Sequence, residues 1–206
     1  MLEFDAKTHT YTLDGRQIPS VSEIIRFAHR EVYEDPNLTL MDIAADRGTR
    51  VHRACQELDE SGTTEADEDI AGYINAYIKF REEHEVHWSG IEEMIHGDTA
   101  GGEFAGTLDR WGTLDGKKVI LDIKTSSKIM KKHQLLYAMQ MTAYWLGLMC
   151  YPTELPDELV ILHLKSDGTY KLIYVDKKVE EFYACLLLHN AFSATKRKKK
   201  GDHTHG

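Results

Sequence analysis

The chain is poor in the residues that build covalent or metal–thiolate frameworks. Its three cysteines, Cys55, Cys150 and Cys185, are scattered and form no CxxC pair. That pattern argues against a disulfide framework, a zinc knuckle and an iron–sulfur cluster, and the three read as buried thiols. Long apolar runs are missing as well: none approaches the roughly 20 residues of a membrane span. The opening MLEFDAKTHTYTLDG is neither basic nor apolar enough for a signal peptide. A cytoplasmic protein with no membrane partner is therefore expected. Positive charge is also short. The net charge of −9 argues against a protein that coats nucleic acid nonspecifically.

The charge is unevenly spread. From Glu57 to Asp69 there are seven acids and no base, which reads as a solvated face. From Lys117 to Lys132 there are six lysines against one Asp, and the end of the chain carries Lys196-Arg197-Lys198-Lys199-Lys200. A local basic surface of this kind can attract phosphates although the whole chain is acidic. There is no internal repeat and no dividing linker. The 206 residues suit one domain with a full core, over 1–195, followed by a basic flexible tail, 196–206.

Periodicity sets out the elements. HTYTLDGRQIPS alternates around Asp14-Gly15 and predicts a small hairpin. Ser20-Val-Ser-Glu23 is a capping-box pattern opening a helix to about His29. A second helix is expected from Thr39 to Glu60, with Leu40, Ile43, Ala44, Val51, Ala54 and Leu58 at helical spacing. A third, Glu65 to His84, places Ile70, Tyr73, Ile74, Tyr77 and Ile78 on one face. Strand-like runs follow at 88–96, 103–114 and 117–125, the last two joined by Asp115-Gly116. A helix over 131–150, with Met139, Ala143, Leu146 and Cys150 as its core stripe, precedes strands at 158–165 and 170–175. A helix over 177–194 ends the pattern. This order fits a mixed α/β (α+β) fold, a central mixed sheet flanked by helices with an N-terminal helical elaboration.

Chemistry concentrates in FAGTLDRWGTLDGKKVILDIKTSS, residues 104–127. Asp109 ends one apolar run, and Asp122-Ile123-Lys124 lies on the next, thirteen positions later. On paired strands two such carboxylates can hold a hard divalent cation, and a lysine two positions on shares the face of Asp122. That set can orient or deprotonate water, or stabilise a phosphorane. A salt-bridged pair on a solvated face is the other reading of the same residues. Three outlying features accompany it. His52, in Gly48-Thr-Arg-Val-His52, is a candidate metal ligand or a plain histidine, and Gly48 clears the same face one turn earlier. Gln140 and Tyr144, four apart, share a helix face suited to phosphates or bases. One of Glu92 and Glu93 can point into the site.

In combination and order these residues resemble the PD-(D/E)XK nuclease superfamily, in its RecB-like exonuclease branch. The resemblance rests on GTRVH at 48–52, Glu92 or Glu93, GTLD at 106–109, DIK at 122–124 and QMTAY at 140–144. It spans about residues 40–150, and YTLDGRQIPSVSEII resembles phage-encoded members. The resemblance implies a restriction-endonuclease-like core and a metal-dependent DNA exonuclease, working on single strands or strand ends. It implies Mg²⁺ or Mn²⁺ held by His52, Asp109, Asp122 and the Ile123 carbonyl, with Lys124 catalytic alongside Asp109, Asp122 and Glu92. Glu92 is preferred to Glu93 because Ile95 follows three positions later. Gln140 and Tyr144 would position DNA or the lysine, with Arg50 and Lys128 as further DNA contacts. Relatives often carry a four-cysteine iron–sulfur cluster, which three scattered cysteines cannot build. The chain has no P-loop, so a helicase, a recombinase or a single-strand-binding protein would be a separate partner. An endonuclease of the same fold and a non-catalytic DNA-binding module are the competing expectations.

Overall fold

The computed structural model describes the backbone of residues 1–32 and 38–201 and the side chains of 1–32 and 43–194. The N-terminal hairpin is a three-stranded antiparallel meander, β1 (Leu2–Asp5), β2 (Thr10–Leu13) and β3 (Arg16–Ile18). Asp14 and Gly15 turn β2 into β3 with φ of +50° and +76°, the left-handed pair a two-residue hairpin requires. The capping box forms as expected: Ser20 Oγ accepts from the Glu23 amide at 3.1 Å, and the Ser20 amide donates to Glu23 Oε2 at 2.9 Å. It opens α1 (Val21–Ile24), and α2 (Arg26–Val32) follows after a break at Ile25 where one helix was expected.

Helix α3 spans Leu38–Ser61 and α4 spans Ala71–Glu83. The third helix is thus shorter than its periodicity suggested. Asp67 and Asp69 lie in the preceding loop and grip the Arg50 guanidinium of α3. Val51 and Ala54 of α3 are buried, whereas Ile43 and Ala44 are exposed; Leu40 lies outside the described side chains.

The central sheet has five strands in the order β4-β5-β6-β7-β8. They are β4 (Val86–Thr99), β5 (Gly102–Leu114), β6 (Lys117–Lys124), β7 (Glu158–Leu164) and β8 (Tyr170–Val175). All neighbours are antiparallel except β6 and β7, which run parallel and are bridged by α5 (Lys131–Leu148). The last helix, α6, spans Val179–Gly201 and so continues into the segment expected as a flexible tail. The side chains of Lys196–Lys200, and residues 202–206 entirely, lie outside the described residues.

Two apolar layers cover the sheet. One packs α1, α2, α5 and α6 against Ile95, Leu108, Ile120 and Ile161; the other packs α3 and α4 against Val119, Leu121, Ile123, Val160 and Leu162. Strand β6 is therefore buried on both faces, the pattern of a strand with a parallel neighbour and helices above and below. Cys55 and Cys185 are buried, but Cys150 is exposed, because α5 stops at Leu148 and the stripe ends with it. Among the described residues, no helix is long and apolar enough to cross a membrane.

Candidate metal centre

The paired strands β5 and β6 bring the two motif aspartates together. Their ladder runs from Leu114–Lys117 to Arg110–Leu121. One step further, Asp109 stands opposite Asp122. There the side chain replaces the backbone ladder: Asp109 Oδ2 accepts the Ile123 amide at 2.6 Å. Helix α3 delivers His52 to the same point. Its Nε2 donates to the Ile123 carbonyl at 3.0 Å, since a carbonyl can only accept, and Nδ1 lies 3.5 Å from Asp109 Oδ1.

Strand β4 adds Glu92, whose Oε1 is 3.6 Å from His52 Nδ1. A bulge between Trp88 and Gly90 shifts the β4–β5 register, and Glu92 itself adopts φ +46°. That conformation costs a non-glycine residue on the order of 1–3 kcal/mol and clusters at functional sites. Glu93, its neighbour, faces away and accepts from the Trp111 indole at 2.6 Å. Among the described residues, His52, Glu92 and Asp109 offer ligand atoms that all lie within 4.8 Å of one another.

Asp122 stands outside that trio and is almost fully buried. Lys124 Nζ donates to its Oδ1 at 2.8 Å; Oδ2, at 2.7 Å from the same nitrogen, accepts no hydrogen bond of usable angle. The ammonium also lies 4.9 Å from the centre of the Tyr137 ring. Burial raises the Asp122 carboxyl above its ordinary range, with the Asp109 charge adding to it and Lys124 opposing it. Burial lowers the His52 imidazole, but the Asp109 and Glu92 carboxylates outweigh it and bring its pKa to about 8. The imidazole and two carboxylates of His52, Glu92 and Asp109 form a donor set that fits a hard divalent cation. A groove of about 530 Å³, lined by Gly48, Thr49, His52, Arg53, Gln56 and Glu92 among others, opens onto this cluster. A larger one, about 670 Å³, lies elsewhere between α1–α2 and α6.

The other expected site residues distribute differently. Gln140 donates to the Tyr144 hydroxyl at 2.8 Å, and Tyr144 is buried rather than offered to solvent. Burial and the Asp122 charge hold that phenol protonated, well above its ordinary pKa. Gly106 makes this possible, because a Cβ there would meet Tyr144 Cε1 at 2.7 Å. Gly48 leaves only Thr125 Oγ1 at 3.9 Å from such a Cβ, so the fold does not press on it. Arg50 is not brought to the centre: it is held by Asp46, Asp67 and Asp69 on another face of α3. Lys128 is exposed in the loop after β6.

Sequence reasoning missed Arg110 and Asp59. Arg110 is fully buried and donates to Asp59, Glu92 and the Asp109 carbonyl. The signal was a guanidinium inside the apolar run of β5, which demands a buried acceptor. Asp59, assigned to a solvated acidic face, has a completely buried carboxylate.

No protein-family model matches the chain, and no curated protein matches it. Among solved structures it is similar to one titled "Crystal structure of SSO0001", with 15% identity, a TM-score of 0.42, and coverage of 85% of this chain and 74% of that one.

Proposed function

We propose that this chain is a metal-dependent deoxyribonuclease of the RecB-like PD-(D/E)XK type, acting as an exonuclease on single strands or strand ends. The observation that carries the reading is the convergence of His52, Glu92 and Asp109 within 4.8 Å beside the buried Asp122–Lys124 pair. A salt-bridged surface pair needs no imidazole and no third carboxylate. A Mg²⁺ or Mn²⁺ ion would be held by His52 Nδ1, Asp109 and Glu92, with Asp122 beside them and the Ile123 carbonyl orienting the imidazole through Nε2, and would supply Lewis-acid neutralisation of the phosphate charge.

The chain's own groups divide the remaining work. Asp122 keeps the Lys124 ammonium in one position, from which it can hydrogen-bond the attacking water or a non-bridging phosphate oxygen. Asp109 ties β5 to β6 through the Ile123 amide, so the carbonyl and the carboxylates move as one unit. Gln140 and the protonated Tyr144 brace the wall of the site next to Asp122. The groove beside His52 is open, with room for a strand backbone.

End-labelled linear and circular DNA, with Mg²⁺ and with Mn²⁺, test the reading. Metal-dependent loss of linear substrate is expected, with closed single-stranded circles resistant. Lys124→Ala should lower kcat by about 10²–10⁴-fold, with Mn²⁺ affinity changed little. Cleavage of circles would assign an endonuclease instead. Metal binding without turnover on any DNA would leave a binding module.

A further inference from the structure

Arg110 follows Asp109 on β5, so its side chain leaves the opposite face of the strand. It enters the layer under α3 and α4 and none of it reaches solvent. Its Nε donates to Asp59 Oδ2 at 2.7 Å, and its Nη1 donates to the Asp109 carbonyl at 2.6 Å and to Glu92 Oε1 at 3.2 Å. Its Nη2 is buried without a hydrogen-bond partner. Asp59 is equally enclosed, and also accepts from the Tyr77 hydroxyl at 2.6 Å and from Arg81.

A buried ion pair is a poor source of stability, because desolvation offsets much of the attraction. Its distinctive property is orientation: the planar guanidinium fixes the directions of its acceptors. Here one acceptor, Glu92 Oε1, is the atom that also faces His52 Nδ1. Glu92 has left the regular ladder, with φ +46°. Ile91–Arg110 and Glu93–Leu108 are paired on either side of it. Its carboxylate direction is therefore not set by strand geometry, and the groups that meet it are Arg110 Nη1 at 3.2 Å and, on the side of the centre, His52 Nδ1 at 3.6 Å.

We propose that Arg110, anchored by Asp59, is a positioning residue of the metal centre. It aims the Glu92 carboxylate at His52 and Asp109, while its bonds to Asp59 and the Asp109 carbonyl hold the guanidinium itself in place. The inference rests on the metal-nuclease reading and adds to it a relay from α3, through Asp59 and Arg110, to a ligand on β4. Outer partners of this kind, when removed, typically cost about 10–100-fold in metal affinity or activity.

The test is Mn²⁺ calorimetry, with kcat, KM for DNA and thermal unfolding, on the full chain and on Glu92→Gln, Arg110→Lys, Asp59→Asn and the Glu92→Gln/Arg110→Lys double variant. Arg110→Lys keeps the charge and loses the fork; it should weaken Mn²⁺ by about tenfold or more and lower kcat with KM for DNA unchanged. In the Glu92→Gln background the same change should alter Mn²⁺ affinity less than about twofold, because groups acting through one another are non-additive. Asp59→Asn is nearly isosteric and should act in the same direction, which keeps the test open if Arg110→Lys does not fold. An equal effect of Arg110→Lys with and without Glu92, or a change in melting temperature alone, overturns the relay and leaves the metal reading standing. Unaltered Mn²⁺ binding in Glu92→Gln, or no Mn²⁺ binding by the unsubstituted chain, overturns the metal reading and the relay with it.

Discussion

His52 sits between two kinds of neighbour, a carbonyl on Nε2 and two carboxylates on Nδ1, and that arrangement favours the imidazolium. Burial works against the charge, yet the carboxylates carry the pKa to about 8. An imidazolium cannot ligate a cation, so in the proposed metal centre metal uptake would displace its proton. The sign follows: Mn²⁺ affinity is highest above pH 8 and falls by about tenfold per pH unit below it. The raised Asp122 carboxyl adds a second proton at lower pH. Calorimetry between pH 6 and 9 checks this, and His52→Gln should flatten the upper slope; an unchanged slope would show that the proton comes from another group. At this scale the motif residues were readable because each is a reactive type at a set spacing. Arg50 shows the limit, for its spacing is right and yet three aspartates hold it elsewhere.

Individual elements were legible wherever local chemistry is decisive. Asp14-Gly15 and Asp115-Gly116 both form left-handed hairpin turns, and the box at Ser20 caps α1. The bulge in β4 was not legible, because an extra residue leaves the strand's composition unchanged while re-aiming everything after it. The Glu92 or Glu93 alternative rested on that unseen bulge. Helix α5 meets β5 where Gly106 admits the Tyr144 ring, and this contact yields a prediction about two elements together. Gly106→Ala puts a Cβ 2.7 Å from Tyr144 Cε1 and 3.2 Å from Val21 Cγ2. Overpacking of this kind should cost about 1–3 kcal/mol, read as a lower midpoint in denaturant. Moving Tyr144 should also loosen the Asp122 side of the site and lower kcat. A variant as stable as the parent would mean that the ring shifts freely.

For the molecule as a whole, the proposed metal centre lies against a scaffold of two apolar layers. Those layers cover both faces of the sheet with buried side chains. On the proposed nuclease reading, a chelator should therefore abolish hydrolysis while far-ultraviolet circular dichroism stays unchanged. Saturating Mn²⁺ should raise the thermal midpoint, by about 2.7 kcal/mol of stability at a hundredfold excess over Kd; unfolding on chelation would contradict this order of events. Sequence alone determined the apolar runs that make the strands, the apolar stripes that make α4 and α5, the two hairpin turns, and the identities of His52, Asp109, Asp122 and Lys124. These are local, periodic properties, fixed by backbone sterics and burial over a few residues. Only the tertiary structure decided that His52 meets a carbonyl 71 residues away and that Asp59, lost in an acidic run, closes on Arg110 51 residues away. Such pairings depend on how the layers stack, because a buried charge takes whichever partner the packed chain brings within reach, whatever their separation in sequence.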